Sequence, residues 1–95
     1  MRATKSTRVV GGIIGVSYLT SAVPGSQPAE ALAKVQRSLG GPDGPDYGEP
    51  VPHLFFSDLD GGSTGGGPRV VGLWVPIDDE RDAASYLRSA GFDVH

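Results

Sequence analysis

The stretch VVGGIIGVSYL, residues 9–19, decides how the chain folds. It is dense in β-branched residues, which fit a pleated, half-buried surface. The pattern predicts one strand from Val9 to Leu19. Ile14, Val16 and Tyr18 then share one face, and Ile13, Gly15, Ser17 and Leu19 the other. Gly11, Gly12 and Gly15 weaken the strand and suggest a bulge or a close backbone approach. Residues 1–8, MRATKSTR, become a frayed, solvated terminus. A basic start followed by an uncharged run also has the outline of a secretory leader. The three glycines, Ser17, Tyr18 and Thr20 argue against that, as does the lack of a clear cleavage site. The run is too short and polar to span a membrane, which needs about 20 apolar residues. The chain has no cysteine, so disulfides and thiolate metal sites are excluded and a cytoplasmic location is expected.

Moving outward, SAVPGSQ interrupts the strand, with Pro24-Gly25 as the turn. Ser26 or Gln27 caps a helix whose first turn holds Pro28, where a missing N–H costs nothing. In PAEALAKVQRSL, Leu32, Val35 and Leu39 fall on one stripe while Glu30, Lys34 and Arg37 face water. Gly40-Gly41-Pro42 stops the helix, and GPDGPDYGEP reads as a loop. VPHLFFSDL is a short strand in which Leu54 and Phe56 alternate with His53, Phe55 and Ser57. RVVGLWVPI is another, with Val71, Leu73, Val75 and Ile77 on one face and Val70, Gly72 and Trp74 opposite. Asp78 or Asp79 caps a second helix, ERDAASYLRSA, whose buried stripe is Ala83, Ala84, Leu87 and Ala90. Gly91 ends it, and FDV is a last short strand.

With 95 residues the chain makes one small domain. The order β-α-β-β-α-β, with right-handed crossovers, predicts an α+β ferredoxin-like plait. This is a four-stranded antiparallel sheet with both helices on one face and the first and third strands central. The helices cover one face only. Phe55, Val70 and Trp74 lie on the other, an apolar set of the kind that marks an interface. A two-fold homodimer through that face is the expectation; the alternative is that residues 40–52 or the C-terminal residues fold over it.

GGSTGGG, residues 61–67, invites a phosphate-binding reading. It fails the Walker A pattern, because Pro68-Arg69 follows where Lys and Ser or Thr are required. It fails the dinucleotide pattern, because a strand follows where a helix must open. Asp58 and Asp60 just before it repel an anion. A flexible hairpin tip is the better reading. His53 and His95 are too far apart in sequence and element to suggest a metal set. His53 serves as a general base only if it opens into a cavity with a tyrosine, Tyr18 or Tyr47. The start of the first helix, Pro24, Gly25, Ser26 and Gln27, offers backbone N–H groups that suit a carboxylate. Net charge is −3 at pH 7, and Arg2, Lys5 and Arg8 are the only basic cluster. That excludes a nucleic-acid footprint, which needs Lys and Arg concentrated on one face.

VPGSQPAEALAKVQRSL and VVGLWVPIDDERDAASYLRSAGFDV together resemble the ACT domains. The first is similar to their strand–Pro-Gly–helix entry and the second to their closing strand–helix–strand. The resemblance implies a ferredoxin-like regulatory module that pairs up and binds an amino-acid-like ligand at Pro24, Gly25, Ser26 and Gln27. The closing segment also resembles part of the glyoxalase-type module, but GLWVPIDD lacks that family's histidine ligand. The topology and apolar face are similar to those of the dimeric α/β-barrel family of small monooxygenases and isomerases. The expected function is a homodimeric, non-catalytic domain without cofactor that binds a small molecule or a protein. The alternatives are a small dimeric α/β-barrel enzyme using His53 and Tyr18, and a purely structural interaction module.

Overall fold

The computed structural model describes residues 1–41, 50–58 and 69–95. The glycine-rich stretch, Tyr47 and most of the connection after the first helix lie outside the described residues. The elements are β1 (Arg2–Val10), β2 (Ile13–Thr20), α1 (Gln27–Ser38), β3 (His53–Asp58), β4 (Arg69–Pro76), α2 (Glu80–Ser89) and β5 (Asp93–Val94). The expected strand over 9–19 is therefore a hairpin. Gly11 and Gly12 have φ of +58° and +78°. Two successive residues with positive φ make a type I′ turn, whose twist matches that of the strands it joins. Val10 then faces Ile13, and the register runs back to Ala3 opposite Thr20. Residues 1–8, expected to fray, form most of β1.

That hairpin changes the sheet. Its order is β3-β4-β2-β1-β5. β1 pairs antiparallel with β2 and parallel with β5, while β2 with β4 and β4 with β3 are antiparallel. The four-stranded antiparallel sheet is thus replaced by a five-stranded mixed one. In the expected plait the last strand lies beside β2; here β1 takes that place and passes the last strand on to its own outer edge. β2 and β4 sit inside the sheet, where the two most apolar strands were expected.

Both helices lie on one face; in α2 Ala83 and Leu87 are buried as expected, whereas Ala84 is only half-buried and Ala90, past the last turn, is exposed. Val16, Tyr18, Val71, Leu73 and Val75 on the sheet share a core with Leu32 and Val35 of α1 and Ala83 and Leu87 of α2. Leu32, Leu73 and Leu87 have no exposed surface, and each such burial stabilises by about 1.5–3 kcal/mol. Ala3 of β1 is also fully buried in this core.

α1 starts where Ser26 accepts from Ala29 N–H, with Pro28 in its first turn. α2 differs from expectation. A 3₁₀ turn, Ile77–Asp79, precedes it, and Asp79 stands at the cap without a side-chain hydrogen bond. This turn leads the chain off the sheet, so Ile77 is 44% exposed and does not continue the apolar face of β4. At the far end Gly91, at φ +97°, turns the chain so that Phe92 N–H bonds Leu87 C=O and the Phe92 ring enters the core. Among the described residues no helix is long and apolar enough to cross a membrane.

Candidate interaction surface

The sheet face away from the helices carries the residues foreseen for it, in a different condition. Ser17 pairs with Trp74, and Trp74 with His53, so all three point to that face. Trp74 is 0% and Val70 1% exposed; Phe55 is half-buried. Two strand glycines explain how the rings lie so close. A Cβ on Gly15 would stand 2.2 Å from Trp74 Cζ2, and one on Gly72 would stand 2.3 Å from Phe55 Cζ. Each ring therefore lies flat where a side chain is missing. The Trp74 indole reaches across β2 and donates to Arg8 C=O at 2.9 Å. His53 stacks on Trp74 with centroids 5.3 Å apart, and the Arg8 guanidinium lies 5.0 Å from the Phe55 centroid. Trp74 and Val70, expected at an interface, are thus used up inside the chain.

His53 and Tyr18 do not meet. Tyr18 pairs with Lys5 and Leu73 on the helix face, whereas His53 shares the opposite face with Trp74. Side chains alternate across a strand, so the sheet lies between them. His53 Nδ1 donates to Val51 C=O at 2.7 Å; a carbonyl only accepts, so the proton is on that nitrogen. The Tyr18 hydroxyl donates to Glu80 C=O at 3.3 Å. Burial, and secondarily the Glu80 charge, push its pKa up to about 12, against an opposing effect of Arg88. A phenol held that firmly protonated is no general base at neutral pH.

The turn Pro24–Gln27 is closed on itself. Gly25 takes φ +84°. Ser26 N–H and its hydroxyl both donate to Val23 C=O, the hydroxyl oxygen accepts from Ala29 N–H, and Glu30 N–H bonds Ser26 C=O. Pro28 has no N–H. Among the described residues the helix start keeps one N–H to offer, that of Gln27, beside a shallow hollow of about 370 Å³ lined by Met1, Pro28 and Phe92 among others.

A cleft of about 710 Å³ lies between β1, the 3₁₀ turn and α2. It mixes Lys5, Arg81 and Arg88 with Asp78, Glu80 and Asp82, so it favours neither sign of charge. Lys5 and Glu80 are paired across it. Among the described residues no three potential ligands could hold a metal ion.

Exposed apolar surface gathers instead at the turn end of the β1–β2 hairpin. Val9 is 59%, Ile14 56% and Ile13 45% exposed. Val9 lies opposite Ile14, and Val10 opposite Ile13. Gly15 pairs with Pro76 at the end of β4, and Ile77, which follows in the 3₁₀ turn, is also exposed. The signal for this surface is in the sequence: two glycines flanked by Val-Val and Ile-Ile are a hairpin pattern. A single-strand reading hides it, because it assigns the same residues to a buried core strand.

The chain matches no family model, no curated protein and no solved structure.

Proposed function

We propose that the chain is a non-catalytic, homodimeric interaction module of ferredoxin-like descent. Its hairpin end, not its open sheet face, meets a second copy. The observation that carries this reading is the cross-strand pair Val9 and Ile14, exposed on one face of the hairpin end with Ile13 exposed on the other, on a chain that buries Trp74, Leu73 and Val75 completely. Exposed aliphatic residues grouped at one end of a small domain mark an interaction site. The ferredoxin-like part rests on β2, β4 and β3 in the expected order with both helices on one face, β1 being an inserted arm. The separation of His53 from Tyr18 disfavours the barrel-type enzyme. The self-satisfied turn at Ser26 favours a protein partner over a carboxylate ligand.

The test is mass by light scattering over a concentration series. Wild type is expected to pass from monomer to dimer, and Ile14→Asp to remain monomeric. Ile14 is exposed, so this change alters surface and leaves the core intact. A wild type that stays monomeric at every accessible concentration rejects the module as a self-associating one.

A further inference from the structure

The outer edge of β1 is covered along part of its length. β5 pairs with Arg2 and Ala3, and the outward bonds are Asp93 N–H to Met1 C=O, His95 N–H to Ala3 C=O and Lys5 N–H to His95 C=O. These fix which residues point outward: the odd-numbered ones. The even-numbered ones turn to β2. Thr7 and Val9 therefore present N–H and C=O groups outward, and among the described residues none bonds to them. A row of such groups on an edge is a template for another strand.

We propose that this edge segment pairs antiparallel with the same segment of a second copy about a two-fold axis, joining two sheets into one. The inference rests on the hairpin-end reading above and specifies how the copies meet. Self-pairing suits the pattern. With Thr7 opposite Val9 of the second copy, and Val9 opposite its Thr7, every outward N–H and C=O of the two residues finds a partner. The register places Arg8 on the axis, facing its own counterpart, and like charges directly opposite are destabilising. The Arg8 guanidinium is drawn inward over Phe55, away from the edge, so the two charges are carried apart. Continuing the register sets Gly11 beside Lys5 of the second copy, where that copy's β5 ends its pairing. A residue without a side chain fits that junction. Val9 and Ile14 then extend an apolar strip across the axis on one face, and Val10 and Ile13 on the other.

The decisive measurement is amide hydrogen exchange at increasing protein concentration. The Thr7 and Val9 amides are expected to gain protection of at least about tenfold between dilute and concentrated samples. The Lys5 amide, already bonded within the chain, should not change with concentration. A variant supplies the second arm. Thr7→Pro deletes an outward N–H and leaves the ladder to β2 intact, as proline is tolerated on an edge. It should weaken dimerisation at least about tenfold while Trp74 fluorescence stays that of a buried indole. If Ile14→Asp abolishes the dimer but Thr7→Pro does not, and the Thr7 and Val9 amides remain unprotected, strand pairing is overturned and the hairpin-end reading stands. If wild type never dimerises, both fall. Should Thr7→Pro not fold, the exchange measurement on wild type decides alone.

Discussion

Gly15 and Gly72 both lie under aromatic rings, yet they do not constrain the molecule equally. The ring over Gly15 belongs to Trp74, fully buried and tied to Arg8 C=O, and a Cβ there would also stand 2.4 Å from the Val75 carbonyl oxygen. Neither neighbour can yield. The ring over Gly72 belongs to Phe55, which is half-buried and able to swing outward. Gly15→Ala is therefore expected to destabilise by about 1–3 kcal/mol, the usual cost of overpacking, and Gly72→Ala by clearly less. Urea unfolding of the two variants checks the order; equal costs would mean that the rings do not rest on the glycines. Tyr18 supplies a second test. Its folded pKa, about 12, lies above the unfolded value near 10. The stability due to the protonated phenol is fully present below about pH 10 and lost as pH rises through about 12. Stability measured from pH 9 to 12 should fall more steeply for wild type than for Tyr18→Phe, which has no such group to ionise. Parallel curves would show that Tyr18 is not shielded.

At the scale of elements, the hairpin turn is where local chemistry overrides pattern. Val9–Leu19 reads as one strand because its apolar residues continue on both sides of Gly11-Gly12, although the hairpin shifts the alternation by one across the turn and puts Val9 on the face of Ile14, not of Ile13. What separates the two readings is φ, which only glycine, asparagine and aspartate take readily at +58° and +78°. Gly11→Asn should be neutral or mildly stabilising, because Asn-Gly is the favoured type I′ pair. Gly12→Val should cost about 1–2 kcal/mol, although the space around a Gly12 Cβ is open, since the penalty is conformational. Thermal unfolding of both variants decides the matter: a destabilised Gly11→Asn, or a harmless Gly12→Val, argues against the turn. Both helices and the two middle strands were legible from periodicity, together with the inward set Leu54, Val71, Leu73 and Val75. The 3₁₀ turn was not. Ile77 continues the alternation of β4 in sequence, and nothing local announces that Pro76 ends the strand.

For the whole molecule, one strand settles whether the remaining topology holds. Fold class and the placement of the helices follow from element order, but the position of β1 does not, because its polar residues, RATKSTR, give no periodic sign of a strand inside a sheet. Only Ala3 reaches the core, and strands with one wet face and few apolar residues are poorly specified by pattern. The candidate site was hidden for the same reason: once β1 is taken as a frayed end, its edge and the exposed aliphatic pairs beside it do not exist. The two readings predict opposite outcomes for removing residues 2–8. A frayed terminus can be deleted with a loss within about 0.5 kcal/mol, as for other uncommitted surface. A strand that holds β2 on one side and β5 on the other cannot. Its removal should detach β5, strip the partner from β2 and abolish cooperative unfolding. Ala3→Asp makes the same test without deleting chain. It forces a carboxylate into a fully buried position and should cost at least about 3 kcal/mol or raise the carboxyl pKa by several units. A truncated chain with the thermal transition of wild type, together with a harmless Ala3→Asp, would return β1 to solvent and with it remove the edge on which self-pairing depends.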